Sequence, residues 1–162
     1  MAKLKRSAHL LYVDASMGGT TPSWYLVGKD IEELTVDLGA DTETVKNILD
    51  ETSVHLNGFE PSIEASPYMC NPDDAIYAPL KACAMGRVMD DEHCKTKFLE
   101  VIVEDTEDTS HSAWQQDCYL IPQSVGGDTS GFQIPFNILP DGPRTAGTAT
   151  LANRVPTFTA AS

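Results

Sequence analysis

The sequence predicts a mainly β fold with one flanking helix. Apolar and polar residues alternate at Leu34, Val36 and Leu38, again at Leu99, Val101 and Val103, and again from Phe132 to Ile138. That is the period of strands with one wet face. Only NPDDAIYAPLKACAMG, from Asn71 to Gly86, joins a capping residue to an apolar stripe of helical spacing. A hydrophobic fraction of 41% over 162 residues suffices for one ordinary core, so the chain reads as a single domain, 1–162.

Residues 1–6 form a short basic arm. AHLLYVD, ending at Asp14, reads as a first strand, and SMGGTTPS as a loop by its glycines and Pro22. WYLV supplies a second strand and GKD a turn. From Glu33 the alternation begins, with Leu34, Val36 and Leu38 on one side and Glu33, Thr35 and Asp37 on the other. Ile31 is out of phase, which predicts a bulge near Glu32 or Glu33.

Residues 39–58 are too patterned for a loop and too polar for a core. Thr42 could cap a helix, but the β-branched residues and Asn47 weigh against one in so short a stretch. An extended hairpin or long ordered arm is the expectation, carrying the apolar residues Val45, Ile48, Leu49 and Val54.

In the helix, Asn71 is expected as the cap, Pro72 at the first position, and Asp73 and Asp74 in the first turn, where they favour the dipole. Ile76, Leu80, Cys83 and Ala84 form the stripe that packs on a sheet, and Gly86 ends the run. Pro79 removes a backbone donor and predicts a short, slightly bent helix. KFLEVIVED and WQQDCYLIPQ follow as strands, SVGGDTSG as a hairpin connection, and GFQIPFNIL as a strand that Pro135 demotes to an edge. RTAGTATLANR can supply one more strand, and residues 156–162 read as a flexible tail. So many polar strand faces point to assembly with other copies.

Charge and chemistry narrow the function. With 24 acidic and 11 basic residues the net charge is -13, which argues against wrapping nucleic acid or lying on an anionic membrane. It does not argue against letting nucleic acid pass. Cys70, Cys83, Cys94 and Cys118 form no C-x-x-C pair, and neither a secretory leader nor a bilayer-length apolar run is read, so reduced thiols and synthesis in cytosol are expected. His93 and Cys94 would point to opposite faces of a strand, and a Cys94, His111 and Cys118 metal site is only arithmetically possible. No phosphate loop, nucleophile elbow or zinc-protease motif occurs. The sequence thus assigns no catalytic, cofactor-binding or metal-ligating residue. Its aromatics, among them Trp24, Trp114, Phe132 and Phe136, read as core or subunit contacts, because a base-stacking platform normally has basic neighbours.

Motifs in fixed order carry a resemblance. These are W-Y-x-V-G-K-D at Trp24 to Asp30, E-T-x-x-N-I-L-x-E-T at Glu43 to Thr52, G-F-E-P-S at Gly58 to Ser62, and the Asp73-Asp74 helix start. Together they resemble the major tail tube protein of long-tailed bacteriophages. Asp50 departs from the pattern, standing where that family carries glycine, and Gly39-Ala40 stands where it often carries Asn or another turn former.

The resemblance implies a β-sandwich or partial barrel whose inner sheet joins its neighbours into a hexameric β-barrel ring. Rings stack into the virion tail tube, through which DNA passes at genome ejection without sequence-specific binding. Partners would be the protein itself and the tape-measure, distal tail and tail-terminator proteins. It further implies that 39–58 is an assembly loop. If acids line the lumen, alternation nominates Glu33 and Asp37, with Asp117 as a further candidate. A tail-terminator or connector, or a contractile-particle tube protein, is the nearest alternative. A ligand-binding module with a pocket at Trp114 is the alternative of another class.

Overall fold

The computed structural model describes residues 3–28, 31, 33–65 and 68–161. After a 3-10 turn at Arg6–Ala8 come β1 (His9–Asp14), β2 (Trp24–Leu26) and β3 (Val36–Asp37), then β4 (Ala40–Lys46), β5 (Thr52–Phe59) and β6 (Ser62–Ala65). Two helices follow, α1 (Tyr77–Gly86) and α2 (Asp91–Cys94). The second half of the chain is β7 (Lys95–Ile102), β8 (His111–Pro122), β9 (Gly126–Asp128), β10 (Gly131–Gln133), β11 (Phe136–Ala152) and β12 (Val155–Ala160). The main sheet has the order β2-β1-β7-β8-β11-β6-β3, with β12 on the far half of β11. It curls into a half-barrel. The pairs β4–β5 and β9–β10 are separate two-stranded sheets.

β11 is long enough to serve two neighbours on one edge. Phe136 to Ile138 pair with β6, and Gly147 to Ala152 pair with β12, while β8 runs along its other side. Between these halves the register shifts at Asp141/Arg144, where Gly142 takes φ 78° and Pro143 has no N–H to give. Extra residues at such a point bend a strand and raise its twist. The C-terminal hairpin thereby curls over the sheet, and the Tyr12 hydroxyl donates to the Arg154 carbonyl at 2.8 Å.

The curl creates two cores. On one face Leu11, Val13, Phe98, Leu120, Phe136 and Ile138 pack with Ile76 and Leu80. On the other, Tyr12, Leu99, Val101, Ala113 and Ala149 lie together, with Phe158 of β12 against them. Strand β7 is therefore buried on both faces, which simple alternation cannot express.

Several expectations are corrected. The strand expected over 33–38 shrinks to Val36–Asp37. The Leu34 carbonyl accepts from the Arg6 guanidinium at 2.6 Å instead of from a neighbouring strand. Leu34 is buried as expected, but Leu38 is exposed. The bulge expected near Glu32 or Glu33 falls partly outside the described residues. Of residues 156–162, expected to be flexible, Pro156 to Ala160 belong to β12 and supply five of its six residue pairs with β11. Pro135 does not mark an edge strand: it lies between β10 and β11, and β11 is paired on both sides from Phe136. Phe132, on the β10 side of that break, is exposed rather than aligned with buried Ile134.

The helix also begins later than expected. Asn71 Oδ1 accepts from the Asp73 N–H, and its carbonyl from Asp74, so it caps a turn preceding α1. Helical hydrogen bonding starts at Tyr77, which puts Pro79 in the first turn, where a missing donor costs nothing. Gly86 is the last helical residue, and Arg87 takes the left-handed conformation at φ 54°. Asp90 caps α2, its carboxylate accepting from the His93 N–H, and Asp91 and Glu92 occupy the first turn.

Candidate assembly surfaces

The hairpin β4–β5 is held together locally. Its strands pair from Ala40↔Phe59 to Lys46↔Thr52, with a shift between Asp41 and Thr42. At the tip, Asn47 Oδ1 accepts from the N–H groups of Leu49 (2.8 Å) and Glu51 (3.1 Å). Asp50 there adopts φ 60°, a left-handed conformation that Asp tolerates better than most residues, so its place in a glycine position is met without a glycine. At the base Gly39 has φ 55°, and a side chain there would collide with the Glu60 carbonyl.

Every residue of both strands is exposed. Ile48 is 99% exposed, Leu49 70%, Val54 62% and Val45 39%. The four predicted residues thus lie on one projecting element, though not on one face. Pairing puts Val54 and Leu56 on the same side, while Val45, opposite Ser53, points the other way. Leu56 and Phe59, both exposed, extend the apolar surface; the alternation of Leu56 with Val54 was a signal available in the sequence. A lone two-stranded hairpin is marginal in water, and exposed aliphatic groups in a continuous patch mark interaction sites.

The second surface is the sheet face turned away from α1. Asp37 pairs with Ser62, Glu64 with Asn137, and Asp117 with both Asp141 and Lys97, all with side chains on that face. Glu33, Asp37 and Glu64 surround a shallow depression of about 340 Å³ together with Thr35 and Ser62. Glu33, Asp37 and Asp117 therefore share one acidic face, joined by Glu64 and Asp141, which alternation did not nominate. Lys95 and Lys97 moderate it, and Lys95 Nζ lies 3.9 Å from Asp141.

A charged cluster around buried Glu100 ties the sheet together. Glu100 receives Arg144 Nη2 at 2.8 Å and meets His9 Nε2 at 2.9 Å. Burial pushes its carboxyl up, but the bonds to His9 and Arg144 outweigh this and hold it below the usual carboxylate range. Arg144 also lies over the rings of Phe98 (5.9 Å) and Trp114 (5.8 Å). Trp114 is thus engaged by Arg144, the first paired residue after the β11 bulge. Ile76, Leu80 and Cys83 are buried between α1 and the rest of the fold. All four cysteines are free thiols. Among the described residues no group of three or more His, Cys, Asp or Glu side chains is placed to hold a metal ion, and no helix is long and apolar enough to cross a membrane.

No family model matches the chain, and no curated protein matches it. Solved structures do. One is the sheath/tube terminator, in the extended state, of the extracellular contractile injection system PVC: TM-score 0.54 and 8% identity, covering 90% of this chain and 97% of that one. Another is the tube-terminating cap of the anti-feeding prophage AFP: TM-score 0.52 and 13% identity, covering 92% and 93%. At these identities the likeness is one of fold: over nearly its whole length this chain has a fold similar to that of proteins that close the tubes of contractile injection systems.

Proposed function

We propose that this chain is a ring-forming structural subunit of the tube of a phage-type tail or contractile particle. The observation that carries the reading is an ordered hairpin, wholly exposed and apolar at its tip, on a half-barrel whose fold two tube-terminating proteins share. The half-barrel leaves strand edges for a neighbouring copy to cover. Assembly rather than catalysis is its work, and the acidic sheet face would repel DNA phosphates if turned to the lumen.

Its position in the tube has two readings. The structural neighbours favour a terminal ring, the alternative weighed in the sequence. The major tail tube subunit, a stacked hexameric ring serving genome ejection in the virion, rests on the sequence resemblance and on the projecting hairpin, which gives a subunit a means of gripping the next. Sedimentation velocity over a range of concentrations tests both. A terminator sediments as one closed species, and a tube subunit as an open distribution that grows with concentration. A monomer at every concentration would defeat the proposal.

A further inference from the structure

Among the described residues the hairpin tip finds no host, since β4 and β5 pack extensively only on each other. Elsewhere the molecule has an apolar cavity of about 630 Å³ whose lining includes Leu10, Leu11, Leu26, Val27, Ile31 and Leu34. Arg6 and Arg154 stand at its walls. Arg6 also borders an adjoining depression of about 500 Å³, lined by Leu4, Lys5, Val36 and Ile102 among others. Together they make a greasy groove under the N-terminal arm.

Charge singles out this groove. In a chain of net charge -13, it gathers Lys5, Arg6 and Arg154. None of the ion pairs among the described residues uses any of them. Both guanidinium bonds of Arg6 go to main-chain carbonyls, of His9 and Leu34, so no carboxylate cancels its charge through them. The hairpin is the complement. Beside exposed Ile48 and Leu49 it carries Asp50 and Glu51, with Glu43 further down β4, against Lys46, which pairs with Asp50 at 3.5 Å. An aliphatic tip in an acidic collar matches an apolar groove with a basic rim, in both hydrophobic and electrostatic terms.

We infer that the tip Ile48-Leu49 of one copy docks in the groove between the N-terminal arm, β1 and β2 of a second copy, with Glu43 and Glu51 facing Lys5 and Arg154. This rests on the ring-forming reading above and names the receiving site for its contact. The occupant is a second copy of this chain, because the charge match is between two parts of the same sequence.

Cysteine cross-linking of the full chain tests it. The variant Ser7→Cys/Leu49→Cys, with one residue in the groove lining and one at the tip, should give a ladder of covalent oligomers under mild oxidation. Leu49→Cys alone, and Met85→Cys/Leu49→Cys with its partner at the exposed Met85 position of α1, should give none. A ladder only from the Met85 pair, or none from the Ser7 pair while the unmodified protein assembles, overturns the docking site and leaves the ring-forming reading standing. A protein that never assembles overturns both. Charge reversal gives a second measure. Lys5→Glu/Arg154→Glu should weaken association at least tenfold, and adding Glu43→Lys/Glu51→Lys should restore it; weakening without rescue overturns the pairing.

Discussion

Replacing Leu80 by alanine probes how the fold holds its helix. Leu80 is fully buried in the core shared by α1 and the sheet, beside Ile76 and Phe136. The substitution removes three carbons, worth about 2.4 kcal/mol at about 0.8 kcal/mol per buried methylene. A residual void on the order of 50 Å³ adds about 1.2 kcal/mol at about 24 cal/mol per Å³. The expected loss is therefore about 3–4 kcal/mol, a large part of the roughly 5–15 kcal/mol that stabilises a domain. At about 2–4 °C per kcal/mol for a chain of this size, melting falls by about 7–14 °C. Leu80→Met, which keeps the volume, should cost less than about 1.5 kcal/mol. Urea unfolding followed by circular dichroism reads both. A loss below about 1 kcal/mol for the alanine variant would refute the burial argument, since no fully buried leucine that cannot be replaced by collapse is so cheap.

Other expectations follow from the same geometry. Ile48→Asp and Leu49→Asp should leave stability within about 0.5 kcal/mol of the parent, because both side chains are exposed, yet block assembly; normal sedimentation of both variants as assemblies would count against the hairpin's role. Because the folded-state carboxyl of Glu100 is held below its ordinary value near 4.5, its contribution is fully present above that pH and is lost as pH falls through the lower folded value. Glu100→Gln should therefore cost about 1–3 kcal/mol at neutral pH and flatten the acid limb of the stability curve, and an unaltered acid limb would remove the cluster from the account. Thiol titration of denatured, unreduced protein should find all four cysteines. In the native protein half-buried Cys70 should react before Cys83, whose thiol burial pushes up to about 11; first labelling at Cys83 would contradict the packing. Glu33→Lys/Asp37→Lys should still permit assembly but let DNA adsorb to the assembled protein at low salt, where screening is weakest; equal DNA binding by parent and variant would place those acids away from the lumen.

What could be read from the sequence was whatever depends on near neighbours. The hairpin was legible because Thr44, Val45 and Asn47 disfavour a helix, and the stripe Ile76, Leu80 and Cys83 because helical spacing is local. Features set by distant partners were not. Residues 156–162 look frayed in isolation, and become a strand only because β11 runs far enough past its bulge to receive them. The strand expected over 33–38 is cut short for the converse reason, since Arg6, remote in sequence, takes the Leu34 carbonyl. Asp117 could be nominated, but its sharing of a face with Asp37 depends on register carried through β8, β11, β6 and β3. The groove under the N-terminal arm left no local signal at all, because its walls come from the arm, β1, β2 and the far β11–β12 turn.

The measurement closest to the central claim is negative-stain electron microscopy of the purified protein near neutral pH. The account predicts closed rings with a central channel, alone if the chain is a terminator and stacked into tubes if it is a repeating tube subunit. A field of compact single subunits at every concentration, without rings or tubes, would contradict it.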